Sequence, residues 1–217
     1  MDINFWEQRW SLNQTAFHLP SVNPHLKKHL SAFNLEISDK VFIPLCGKSN
    51  DIAWLASEEY RVLGVECSDI AIKSFFSENK LLPDTAQDEN FSVYNSRNIC
   101  LLGGDYFALT QSQLADTVLV YDRASLIALP ESLRKPYVNH LIKLLPESAE
   151  IFLITLEYNQ ADMSGPPFSV DHNQVQQLYA PHFKVEILDE IDVLEQHQKF
   201  KERGLNYLIE RIYRITK

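Results

Sequence analysis

The sequence predicts an α/β protein, an open and doubly wound sheet that is mostly parallel with a late antiparallel strand. Three observations carry this. Four short runs, "VFI" (41–43), "RVLGV" (61–65), "TVLVY" (117–121) and "IFLITL" (151–156), are apolar on consecutive positions, as strands buried on both faces should be. Helical patterns with recognisable start signals lie between them. The alternation β-α-β then repeats, which places helices on both faces of a parallel sheet.

The elements follow in order. Residues 1–39 form an amphipathic segment, with Phe5, Trp6 and Trp10 early and Leu26 and Leu30 later, and are expected to be a helical cover over the ligand end of the fold. After the first strand, Ser49 can cap a helix that carries Ile52, Leu55 and Ala56 on one face. After the second, Ser68 can cap one carrying Ile72, Phe75 and Phe76. The polar stretch "PDTAQDEN" (83–90) reads as a surface excursion. Pro130 suits the first turn of a helix in which Leu133, Tyr137, Leu141 and Leu145 recur every four residues. "NQADMSGPPF" (159–168) is the loop leaving the fourth strand, and the tail "LNYLIERIYRIT" (205–216) suits a late antiparallel strand paired with "KVEIL" (184–188). Nothing in the chain looks like a linker or a repeat, so one domain is expected over 1–217.

Composition excludes several functions. Twenty Lys+Arg against 29 Asp+Glu give a net charge of -9, which would repel a polyanion and argues against nucleic acid. The start "MDINFWEQRW" lacks a basic segment followed by an apolar one, and no apolar run reaches the roughly 18 residues a bilayer requires. A cytoplasmic protein with no membrane partner is the expectation. Cys46, Cys67 and Cys100 are odd in number and lack CxxC spacing, which favours reduced, mostly buried thiols and no metal site. His25 and His29 are four apart on a helix, but no Glu follows His25 as HExxH requires, so they read as a solvated face. The charged run "EQHQKFKERG" (195–204) reads as wet surface.

In a doubly wound sheet the ligand sits beyond the carboxyl ends of the strands. The first strand leaves into Pro44-Leu45-Cys46-Gly47, and the second ends at Glu66, 21 positions after Leu45. A carboxylate about 20 residues past the first turn can accept both ribose hydroxyls of a nucleoside cofactor. It could equally cap the following helix, and spacing leaves both readings open. The turn keeps Gly47-Lys48-Ser49 but none of the other glycines of GxGxxG or of a P-loop, so neither a pyrophosphate nor a triphosphate is accommodated. A cofactor without phosphate, such as S-adenosylmethionine (SAM), needs only a tight turn and a carboxylate. The third strand leaves into Asp122-Arg123, where a guanidinium could fork onto a carboxylate or contact the acceptor. Asp122, beside it, reads as its structural partner and only secondarily as a base.

The strings "FWEQRW" with "TAFH", "VFIPLCGKSNDIAWLA", "VLGVECSDIAI", "GGDYFAL", "YDRASLIALP" and "GPPFSV" stand in this order between Phe5 and Tyr213. Together they resemble the thiopurine S-methyltransferase family almost end to end. The resemblance implies a class I methyltransferase fold with a seven-stranded sheet. It also implies methyl transfer from SAM to the sulfur of a small thiol, giving S-adenosylhomocysteine, by a monomer. Carried over, the cofactor contacts fall on Trp10, Leu45 with Gly47 in the turn, Glu66 and Arg123, with Asp105 and Tyr106 beside the adenine. Trp10 would cover the methionine end, and Leu45 would act mainly through its backbone. Arg123, Pro166, Pro167 and Phe17 would line the acceptor slot, Lys199 or Arg203 would border it, and no side chain is required as an essential base. Asn50 stands where an apolar residue is more usual in the family. Selenium or tellurium anions and other small thiols are alternative acceptors, and a non-catalytic SAM-binding protein is an alternative role. A NAD-dependent oxidoreductase would need the pyrophosphate glycines that this turn lacks.

Overall fold

Strands form where consecutive residues are apolar, and helices where a polar cap precedes a periodic apolar stripe. A computed structural model describes residues 3–15 and 17–217; the opening Met1-Asp2 and the Ala16 of "TAFH" lie outside the described residues. The chain divides into two compact units, Met1–Val120 and Tyr121–Lys217.

The first unit runs α1 (Ile3–Ser11), α2 (Pro24–His29), β1 (Lys40–Ile43), α3 (Asn50–Ser57), β2 (Arg61–Glu66) and α4 (Asp69–Glu78). It continues through β3 (Asp84–Gln87), β4 (Ser92–Ser96), β5 (Ile99–Gly103) and α5 (Gln111–Leu114) into β6 (Thr117–Arg123), which begins in this unit and ends in the next. Its strand order is β3-β4-β5-β2-β1-β6. β1 is parallel to β2 and to β6, and β2 is parallel to β5, so β1, β2 and β5 present their carboxyl ends along one edge. The buried residues Val41, Phe42, Val65 and Leu101 are the consecutive apolar positions of these strands. Gly64 is required by packing: a Cβ there would stand 2.7 Å from Cys46 Sγ and 2.7 Å from Leu101.

Ser49 caps α3 by accepting from Asp51 N at 3.2 Å, and Ser68 caps α4 by accepting from Ala71 N at 3.5 Å, as their positions predict. Three strands in this unit are additional to those the sequence suggests. β5 is the apolar run "ICLLG", and β3 pairs antiparallel with β4, placing "PDTAQDEN" partly on an exposed edge strand. That hairpin lies outside the seven-stranded plan implied by the resemblance. Its edge position explains why no apolar pattern announces it.

The second unit contains the end of β6, α6 (Glu131–Leu144), β7 (Glu150–Glu157), α7 (His172–Tyr179), β8 (Lys184–Asp192), α8 (Gln198–Glu202) and β9 (Ile209–Thr216). The order β7-β9-β8 inserts the last strand between the two before it, antiparallel to both. The expected pairing of the tail with residues 184–188 is therefore present and longer than expected, with a register shift between Ile187 and Asp189. Pro130 stands at the cap position rather than inside α6, and the buried face of the helix includes Arg134 together with Tyr137, Val138 and Leu141. Among the described residues no helix is long and apolar enough to cross a membrane.

Two surface expectations are corrected. His25 and His29 do lie on one helix, but His25 is only 9% exposed and its ring stacks on that of His29 at 6.3 Å, so this face is packed rather than solvated. Of the cysteines, all free, only Cys46 is buried, while Cys67 and Cys100 are half-buried.

Candidate active site

The carboxyl ends of β1, β2 and β5 gather most of the expected cofactor residues in the first unit. After β1 the chain turns sharply, with Leu45 at φ 44° and Gly47 at φ 54°. Gly47 tolerates this backbone, whereas Leu45 is held in it against steric preference. The holding bonds are visible: Cys46 N donates to Val65 O at 3.0 Å, and Gly47 N donates to Glu66 Oε2 at 2.9 Å. Strain kept in place by such a frame is typical of ligand-contacting turns.

Glu66 is 5% exposed. Its Oε1 accepts from Ser68 N at 2.8 Å and from the Cys67 thiol at 3.4 Å. Burial raises the pKa of this carboxyl, and the amides of Ser68 and Gly47 and the Cys67 thiol pull it back. Burial also raises both neighbouring thiols, with the Glu66 charge adding to the effect, so Cys46 and Cys67 are protonated packing groups rather than nucleophiles. The acid thus serves the turn and the start of α4 at once, through two backbone amides.

Trp10, 7% exposed, lies over the turn: a Cβ added to Gly47 would sit 3.1 Å from the indole Cζ2. Phe17 meets the Trp10 ring edge-on at 5.3 Å and the Trp6 ring at 5.6 Å. After β5, Gly104 N donates to Glu66 O at 2.9 Å, and Asp105 accepts from Phe107 N at 3.0 Å. Tyr106, next in sequence, is buried and meets Phe107 edge-on at 5.3 Å. Trp10, Gly47 and Glu66 are therefore joined by contact or hydrogen bond, with Leu45 in the same turn and Asp105 next in sequence to the Gly104 amide that bonds Glu66 O.

The sequence reading leaves out how the N-terminal segment is tethered. Asn50 Nδ2 donates to Leu19 O at 2.9 Å, and Asp51 Oδ1 accepts from Asn23 N at 2.8 Å. Asn50 thus has a structural task. Two polar side chains in the first turn of an otherwise apolar helix were the signal.

In the second unit Asp122 is fully buried at the end of β6. It accepts from Tyr137 OH at 2.7 Å and from Leu126 N at 3.1 Å. The expected pair with Arg123 is absent, because successive side chains of a strand point to opposite faces. Burial pushes the Asp122 carboxyl up to about 6, against the pull of Tyr137, Leu126 and Ser125. Arg123 is half-buried, and among the described residues its side chain forms no hydrogen bond or ion pair. Pro166 and Pro167 are half-buried; Tyr158 OH donates to Pro167 O at 2.6 Å and Phe168 N to Ile127 O at 2.7 Å, which fixes the segment they stand in. Arg203 meets Met163 Sδ at 3.3 Å, and Lys199 is exposed on α8.

Parallel strands with a buried acid ending the second one define the class. The solved structures of similar fold agree. A 1,6-didemethyltoxoflavin-N1-methyltransferase from Burkholderia thailandensis, solved with S-adenosylhomocysteine, superposes with a TM-score of 0.67 at 12% identity, over 99% of this chain and 87% of that one. A SAM-dependent methyltransferase from Anabaena variabilis gives 0.63 at 16% identity, over 99% and 94%. The fold is that of the class I SAM-dependent methyltransferases.

Sequence comparison is more specific. The profile of the thiopurine S-methyltransferase family matches residues 1–217. Thiopurine S-methyltransferases of Pseudomonas paraeruginosa and Nitrosomonas eutropha are each 44% identical over 217 residues, spanning 100% of this chain and 100% and 99% of theirs. The chain belongs to the thiopurine S-methyltransferase family and is a SAM-dependent methyltransferase acting on a small-molecule acceptor.

The residues present fit that cofactor. A carboxylate offers about four acceptor positions. In Glu66, Gly47 N takes one on Oε2, while Ser68 N and the weak thiol donor of Cys67 share Oε1. Capacity for a hydroxyl donor therefore remains on Oε2, beside a turn without the glycines of a pyrophosphate cradle.

Proposed function

We propose that the protein transfers the methyl group of SAM to the sulfur of an aromatic or heterocyclic thiol such as a thiopurine, with S-adenosylhomocysteine as the second product. The observation that carries this reading is Glu66: a buried carboxylate fixed by the Gly47 and Ser68 amides with acceptor capacity left over. Glu66 receives the ribose hydroxyls, while the Leu45–Gly47 backbone forms the floor beneath the methionine end. Asp105 and Tyr106 flank the adenine. Trp10 covers the turn and excludes water, and residues 1–39, held by Asn50 and Asp51, form the cover of which it is part.

When bound, the cofactor supplies a methyl carbon activated by the attached sulfonium, open to in-line attack by a thiolate. The chain's own contribution is orientation, dryness and one positive charge. Arg123 has unused donors for the methionine carboxylate or for the acceptor, and its charge favours the thiolate. Pro166, Pro167 and Phe17 give rigid or flat apolar walls for a heteroaromatic ring. Asp122 does not act as the base, since its carboxylate is committed to Tyr137 and Leu126. No essential base is required, because heteroaromatic thiols ionise readily. The enzyme is read as a cytoplasmic monomer.

Transfer of a tritiated methyl group from SAM to a panel of thiols tests this. Labelled thioethers should form from heteroaromatic thiols in preference to aliphatic ones. Tight SAM binding without labelled product from any thiol would overturn the acceptor assignment.

A further inference from the structure

A polar cleft lies wholly within the second unit; it shares no residue with those assigned to the cofactor, and Ser164 and Phe168 of its wall flank the Pro166-Pro167 pair assigned to the acceptor. Its volume is about 610 Å³, and its walls include Arg134, Tyr158, Ser164, Phe168, Asp171 and Tyr207. We propose that this cleft is a second binding site, taking a small organic monocarboxylate whose charge is met by Arg134.

Arg134 is 4% exposed, on the buried face of α6. A guanidinium has five N–H donors and is rarely buried without an anion. Here Nε donates to Leu129 O at 3.1 Å and Nη1 to Gln174 Oε1 at 2.5 Å, both neutral acceptors. Among the described residues no carboxylate forms an ion pair with it and no acceptor meets Nη2. Burial accordingly lowers the Arg134 pKa, while the charges of Glu131 and Asp171 act against this from a distance. Because Arg134 lines the cleft, the missing counter-charge can be supplied there. Two clamped nitrogens also leave the guanidinium pre-oriented, which reduces the entropy lost when an anion arrives.

The remaining wall narrows the class. The Ser164 and Tyr207 hydroxyls have no hydrogen-bond partner among the described residues and can donate to a carboxylate oxygen. Phe168 and Pro130 supply apolar surface for a short hydrocarbon body. Glu131 and Asp171 also line the cleft, with Asp171 Oδ1 engaged by Gln174 N at 2.8 Å. A dianion such as phosphate would meet both acids, whereas a monoanion can lie against Arg134 at less repulsion.

The test is titration of the full chain with sodium butyrate at constant ionic strength, followed by the NMR resonance of the Arg134 Nε–H, with inorganic phosphate as the comparison. Saturable movement of that resonance is expected, with phosphate weaker than butyrate. Affinity should fall at least about tenfold in Arg134→Gln, and similarly in Ser164→Asp, which places a negative charge at the exposed rim without touching the internal bonds of Arg134; this second variant, read by calorimetry, decides alone if Arg134→Gln does not fold. No saturation with butyrate, phosphate binding the tighter, or unchanged affinity in Ser164→Asp would each overturn the proposal.

Discussion

Two buried carboxylates end parallel strands in this protein, Glu66 after β2 in the first unit and Asp122 after β6 in the second, and they are used differently. Both hold the turn that follows them through backbone amides: Gly47 and Ser68 for Glu66, Leu126 for Asp122. Asp122 is then closed off by the Tyr137 and Ser125 side chains, whereas Glu66 is met only by backbone amides and the weak Cys67 thiol among the described residues. One acid retains capacity for a ligand and the other is consumed by the fold. What separates scaffold from site is therefore the number of strong donors that reach the group, not residue type, burial or place on the sheet.

The contrast can be broken at both ends. Glu66→Ala strips the acceptor from two amides and should cost about 3 kcal/mol in urea unfolding, with SAM affinity by calorimetry falling at least about 100-fold. Retained affinity would remove Glu66 from the cofactor site. Asp122→Asn addresses the other acid through pH. The folded-state pKa of Asp122, about 6, lies above its unfolded value, so the native state binds the extra proton. Stability from this group is present in acid and is lost as pH rises through about 6. Between about pH 4 and pH 7 the wild type should lose roughly 2 to 3 kcal/mol relative to Asp122→Asn. Parallel stability curves for the two proteins would show that Asp122 is ionised throughout.

Two further substitutions are expected to act more weakly on folding. Gly47→Ala places a methyl group at φ 54° and 3.1 Å from Trp10 and should destabilise by about 1 to 2 kcal/mol, read as a shifted urea midpoint. Its cofactor affinity should fall as well under the proposed function, in which the same turn forms the floor. Arg123→Ala has the smallest expected effect on folding, within about 0.5 kcal/mol, because Arg123 has no partner to lose among the described residues. Turnover should nevertheless drop by about tenfold or more in the methyl-transfer assay. Unchanged kinetics would take Arg123 out of the reaction.

Much of this was legible in the chain. β1, β2, β6 and β7 announce themselves by consecutive apolar residues, because a strand covered on both faces has no polar side to interrupt the run. Ser49 and Ser68 mark their helices for an equally local reason, the need of the first amides for an acceptor. The turn at Leu45–Gly47 and its acid at position 66 follow from spacing along parallel strands. β3 was not legible, since an exposed edge strand such as "DTAQ" has little apolar surface to bury. His25 and Arg134 were also opaque, because polar residues on short or amphipathic helices look solvated until the packed neighbours are known.

The order of apolar runs, caps and glycine-poor turns was enough to specify a parallel α/β sheet with Glu66 at the carboxyl end of its second strand, because each signal depends on residues close in sequence. Only the tertiary structure decided that Asp122 is spent on Tyr137 and that Arg134 keeps donors free beside a cleft. Those outcomes depend on how many hydrogen-bonding groups from distant segments reach one buried charge, and that number is set by packing in three dimensions.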